Sequence, residues 1–62
     1  MARKPNFNRH EVATTAERVV ERNRGSIAAA ASSAKENAHW MRLCRYPERG
    51  TFWDMVADAV LS

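Results

Sequence analysis

The chain is 62 residues long, with ten lysines and arginines against seven acids, a net charge of +3 and a single cysteine. That length allows one small domain, which buries only about 60% of the surface of its unfolded chain. A lone cysteine excludes an internal disulfide, and the longest uninterrupted apolar run, Ile27 to Ala31, is far too short to cross a bilayer. The opening residues carry no signal-peptide pattern. A soluble, cytoplasmic protein in a reducing setting is expected, with Cys44 a small buried apolar residue.

Chemistry-bearing residues are sparse. His10, His39 and Cys44 lack any recognised zinc spacing. His39 and Cys44 lie five apart, which on a helix places them on different faces and argues against a cysteine–histidine nucleophile pair. Asp54 and Asp58, four apart, read as like charges on a solvated face. No activated nucleophile or glycine-rich phosphate loop occurs. Neither an enzyme nor a metal or cofactor site is expected.

In chain order, residues 1–9 (MARKPNFNR) show no periodicity and read as a flexible basic arm, because Arg3, Lys4 and Arg9 precede the first acid, Glu11. Such an arm suits phosphate contacts or a solvated tail. Residues 10–62 form the domain. A first helix is expected over 10–23, with Val12, Ala16, Val19 and Val20 on one face. Gly25 stops it by taking the left-handed conformation, and Ser26 caps the next helix. That helix is expected over 26–34, followed by another over 37–46 that ends at Tyr46-Pro47. Glu48-Arg49-Gly50 reads as a turn. Thr51 and Asp54 fit a capping box for a last helix over 51–61.

The stretch Ser26 to Arg42 admits two readings. As a single rod, a seam through positions 13, 16, 20, 23, 27, 30, 34, 37, 41 and 44 would hold two asparagines and four alanines, and Gly25 would sit inside the helix at a cost of about 1 kcal/mol. As a corner around Lys35-Glu36, Asn37 would cap a new helix, and Ala30 and Ala31 would supply the small residues that a helix-turn-helix crossing needs. Lys35 stands where glycine is common and Glu36 where an apolar residue is usual. The residue pattern favours the corner and leaves open whether Lys35-Glu36 turns or continues the helix.

The segment NRGSIAAAASSAKENAHWMRLCRY resembles the C-terminal helix-turn-helix of the Fis family, most closely the small NinH-type members of lambdoid phages. The pattern can be laid without gaps on Gly25 to Leu61. It matches at Gly25, Ala31, Lys35, Arg42, Gly50, Val56 and Asp58, with apolar equivalents at Met41, Phe52 and Met55. Ala38, His39 and Trp40 depart from it, since the family usually has a basic or small polar residue early in the recognition helix.

The resemblance implies an all-α helix-turn-helix protein of a phage or prokaryotic host, acting on transcription or DNA architecture as a homodimer. In the corner reading, Asn37, Ala38, His39 and Arg42 face the major groove, with Arg42 the best candidate to read guanine. Arg45 and Tyr46 lie nearer the phosphates, while Lys35, Ser26, Arg3, Lys4 and Arg9 position the backbone. Met41 and Cys44 point inward, and Trp40 packs on the last helix or stacks on a base. Val12, Ala16, Val19 and Val20 form the dimer interface. The alternative is a helical module that binds and modulates a host protein through Trp40, Phe52 and Trp53.

Overall fold

The computed structural model describes residues 7–62, which form three helices and no strands: α1 (Arg9–Arg22), α2 (Ile27–Leu43) and α3 (Pro47–Leu61). The protein is thus the small all-α domain expected from sequence, with different boundaries.

Helix α1 starts at Asn8, whose side chain accepts a hydrogen bond from the His10 amide at 2.8 Å. It closes as a Schellman motif. The Gly25 amide donates to the Val20 carbonyl at 2.9 Å and the Arg24 amide to that of Glu21 at 3.0 Å. Arg24 and Gly25 both have positive φ, 56° and 81°. Ser26 then caps α2 as the sequence indicates, its hydroxyl accepting from the Ala29 amide at 3.2 Å.

The corner at Lys35-Glu36 is absent, because α2 runs unbroken through both residues and through Asn37. Asn37 inside a helix costs less than about 0.7 kcal/mol relative to alanine. Continuity brings a larger gain. Ala30, Ala34 and Ala38 recur every four residues, stack into one stripe, and are each no more than 1% exposed. A turn at 35 would throw Ala38 off that stripe. Packing therefore overrides the local capping signal.

The α2 helix also ends in a Schellman motif, with the Tyr46 amide donating to the Met41 carbonyl at 2.7 Å and the Arg45 amide to that of Arg42 at 3.1 Å. Arg45 takes the left-handed position at φ 65°. Pro47 both ends this segment and begins the next, since its fixed φ and missing N–H suit the first position of a helix. Residues Glu48 to Gly50, expected as a turn, are the first turn of α3. The Thr51 capping box is not used. The Thr51 hydroxyl donates instead to the Pro47 carbonyl at 3.1 Å.

Helix α3 packs most extensively on α2, and α1 lies across α3 with a smaller contact on α2. Gly50 sets the approach of α2 and α3. A Cβ there would stand 2.9 Å from Arg42 Cγ and 3.2 Å from the Ala38 carbonyl oxygen. The buried core consists of six alanines and four valines, and Val56 is the largest side chain fully enclosed. Partly buried Phe7, Phe52, Trp53 and Met55 pack around it. Phe7, expected in the arm, meets Phe52 edge to face with centroids 5.5 Å apart.

Candidate nucleic-acid interface

The turn between α2 and α3 gathers several of the residues expected to touch DNA. Arg45, Tyr46, Glu48 and Arg49 line one shallow depression around Pro47, and all are exposed. Arg45 is held there by the left-handed backbone that closes α2. Tyr46, 57% exposed, occupies the N-cap position of α3 but gives that helix no side-chain cap. The amides of Glu48 and Arg49 precede the first amide bonded within α3, that of Gly50, which donates to the Tyr46 carbonyl at 3.0 Å. An uncapped helix N-terminus carries free donors and a partial positive charge. Here two guanidinium groups and a phenol flank it, against the one carboxylate of Glu48. That combination suits an oxyanion such as a backbone phosphate.

Arg49 is a site residue that sequence reasoning misses when residues 48–50 are read as a turn. The signal is nonetheless present: proline at the first position of a helix puts residues 48 and 49 in its first turn.

The other candidates divide. Arg42 is exposed, but its guanidinium forms an ion pair with Asp54 of α3, and its aliphatic stem lies over Gly50. A base contact would have to compete with that pair, so Arg42 is better described as tying α2 to α3. Ala38, expected to face DNA, is 1% exposed beneath the same contact. Asn37 is half-buried inside α2 and does not cap a helix. His39 is exposed, its ring edge-on to Trp40 at 5.8 Å. Lys35 is also exposed, on the helix stretch leading to the α2–α3 turn. Ser26 sits at the opposite end of α2, its hydroxyl engaged as a cap. Arg9 opens α1 and is exposed, while Arg3 and Lys4 lie outside the described residues.

Three further expectations are corrected. Val12, Ala16 and Val19, expected at a dimer interface, are 6–7% exposed and belong to the core of the single chain. Val20 packs partly against the same core. The apolar face of α1 is legible in the sequence, but α3 of the same chain covers it. Cys44, expected to be buried, is exposed, because α2 ends there and turns away. Trp40, expected to pack on the last helix, projects from the opposite face of α2 and is 55% exposed.

Charge is unevenly divided. Setting aside Arg3 and Lys4 leaves eight basic residues against seven acids, so residues 7–62 carry +1 of the net +3. Among the described residues, no group of three or more side chains could hold a metal, and no helix is long and apolar enough to cross a membrane. No protein-family model, curated protein or solved structure matches the chain.

Proposed function

We propose that this protein is a small all-α DNA-binding protein that grips the phosphates of duplex DNA at the α2–α3 turn. The observation that carries the reading is the uncapped start of α3 between Arg45 and Arg49. Helix N-terminal amides fix a phosphate in place, and the two arginines supply charge-assisted bonds. The basic residues Arg3 and Lys4, with Arg9, add attraction that carries no sequence information. His39 and Lys35, exposed four residues apart on α2, are further candidates for contact with the duplex. The continuous α2 departs from the Fis-type turn, so the base-reading role that the resemblance gives Arg42 is not carried over. Binding is then dominated by the backbone, as in an architectural protein or a regulator with modest sequence preference.

Fluorescence anisotropy with a labelled duplex, titrated at several salt concentrations, tests this. Wild type should bind with a log affinity that falls linearly with log salt. The double variant Arg45→Ala/Arg49→Ala should lower that slope by about 2, near 0.9 for each phosphate contact removed. Arg42→Ala should leave the slope unchanged. Absence of binding at low salt would defeat the proposal.

A second reading is favoured by Trp40 and Leu43, which are 55% and 59% exposed on α2. An aromatic and a leucine on a rigid helix are the kind of residues that anchor a protein interface. Under that reading, the turn arginines are dispensable and the outer face of α2 carries the activity.

A further inference from the structure

The charges of α1 are sorted by face. Glu17 and Glu21 line the groove between α1 and α3, beside Ala13 and Ala59. Arg18 and Arg22 line a second depression with Thr15, and its wall on the α3 side is Trp53. Each pair is of like charges four residues apart, a spacing that disfavours a helix, whereas opposite charges at that spacing would support it. Helix formation therefore gives no reason for the arrangement. The macrodipole accounts for Arg22, in the last turn of α1, but not for Arg18.

Trp53 joins this depression to the α2–α3 turn. It lies four residues beyond Arg49, on the same face of α3 and about 6 Å further along the helix axis. Side chains on a helix lean toward its N-terminus, the direction from Trp53 to Arg49. Phe52 meets the indole edge to face at 5.8 Å and leaves it half-buried. Arg45, Tyr46 and Arg49 at one end, Trp53 in the middle, and Arg18 and Arg22 at the other form one track. Among the described residues the one ion pair is Arg42–Asp54, so all four arginines of the track lack a carboxylate partner. Two acids border the track, Glu48 at the turn and Glu21 at α1.

We infer that this track carries the phosphate backbone of one duplex, with a second phosphate site at Arg18 and Arg22 beyond the one at the turn. The inference rests on the DNA-binding reading and gives the DNA a path, across α3 to α1 and not along the exposed face of α2. Two arginine pairs on one track suit a ligand whose negative charge recurs along its length, as that of a nucleic-acid backbone does. A free phosphate would need only one pair. Guanidinium groups supply charge-assisted bonds, and the Thr15 hydroxyl and Trp53 indole N–H add neutral donors at the same place. These contacts position the duplex without reading its sequence.

The test is a salt titration of duplex binding by Arg18→Ala/Arg22→Ala. Both residues are exposed, so the helical circular-dichroism spectrum should be retained. The slope of log affinity against log salt should fall by about 2, near 0.9 for each contact. Trp40→Phe leaves Trp53 as the only tryptophan, and bound duplex should then shield it from acrylamide quenching. Adding Arg18→Ala/Arg22→Ala should reduce that shielding. If this pair leaves the slope at its wild-type value while Arg45→Ala/Arg49→Ala lowers it, the second site is refuted and the turn site stands. Trp53 equally open to acrylamide with and without duplex, or shielded by a single strand alone, would also overturn the path. A wild type that binds no duplex at low salt would remove both proposals together.

Discussion

At the corner between α1 and α2, and again between α2 and α3, the ending helix closes with the same two hydrogen bonds and an arginine in the left-handed conformation. The two corners part at the start of the next helix. After Arg24 come Gly25 and Ser26, and the serine hydroxyl satisfies the start of α2. After Arg45 come Tyr46 and Pro47, and no side chain satisfies the start of α3. At the first corner a side chain caps one amide of the new helix, while at the second no side chain caps any and two guanidinium groups flank the free donors. Two turns built on one hydrogen-bond pattern can thus serve different ends, and the distinction lies in the residue that begins the next helix.

The largest effect that separates the corners should come from their glycines. Gly50 lies one helical turn beyond the second corner, where α3 approaches α2, and Gly50→Val should cost about 2–3 kcal/mol in thermal unfolding. Gly25 has nothing within 4 Å of a Cβ and needs only its positive φ. Gly25→Ala should therefore cost less, about 1 kcal/mol. If the two substitutions cost the same, the close approach at Gly50 is not what holds the α2–α3 pair.

Capping gives a smaller contrast. Ser26→Ala removes a cap and should cost about 1 kcal/mol by chemical denaturation. Tyr46→Ala removes none, so its effect on stability should stay below about 0.5 kcal/mol. Tyr46→Asp sharpens the comparison further. The carboxylate should cap α3 and stabilise it by about 0.5–1 kcal/mol while occupying the place of a phosphate, so the melting temperature rises as DNA affinity falls.

Modest gains in stability should come from the two strained arginines. Arg24→Gly and Arg45→Gly each relieve an unfavourable backbone conformation and should add about 0.5–1 kcal/mol. Only Arg45→Gly should also reduce the salt dependence of DNA binding, by about 0.9. An equal reduction from Arg24→Gly would show that the corners do not differ in function.

Sequence and structure agree best where the controlling interactions are local. NRGS can be read directly, because a left-handed glycine and a serine cap act within four residues. Asn37 misleads for the same reason. It is a good cap in isolation, but the fate of Lys35-Glu36 is decided by Ala38, Gly50 and Arg42, which meet only after α3 folds back. The apolar face of α1 is visible in Val12, Ala16 and Val19, yet a pattern of apolar residues does not say which surface covers them. At the candidate site, Arg45 and Tyr46 can be found from a helix that ends near them, whereas Arg49 is lost if Pro47 is read only as a stop. Arg42 reads as a DNA contact because nothing local reveals that Asp54, twelve residues later, pairs with it.

A core of alanine and valine also shapes how the protein responds to heat. Heat capacity rises on unfolding in proportion to the apolar surface exposed, typically about 12–15 cal/mol/K per residue. A chain with so few large side chains enclosed falls toward or below the lower end of that range. Its stability curve should consequently be shallow, and the small unfolding enthalpy of so short a chain should make its melting transition broad. In so small a domain each kcal/mol moves the midpoint by about 4–8 °C, so substitutions at Gly50 and Ser26 should register as shifts of many degrees on a gradual slope.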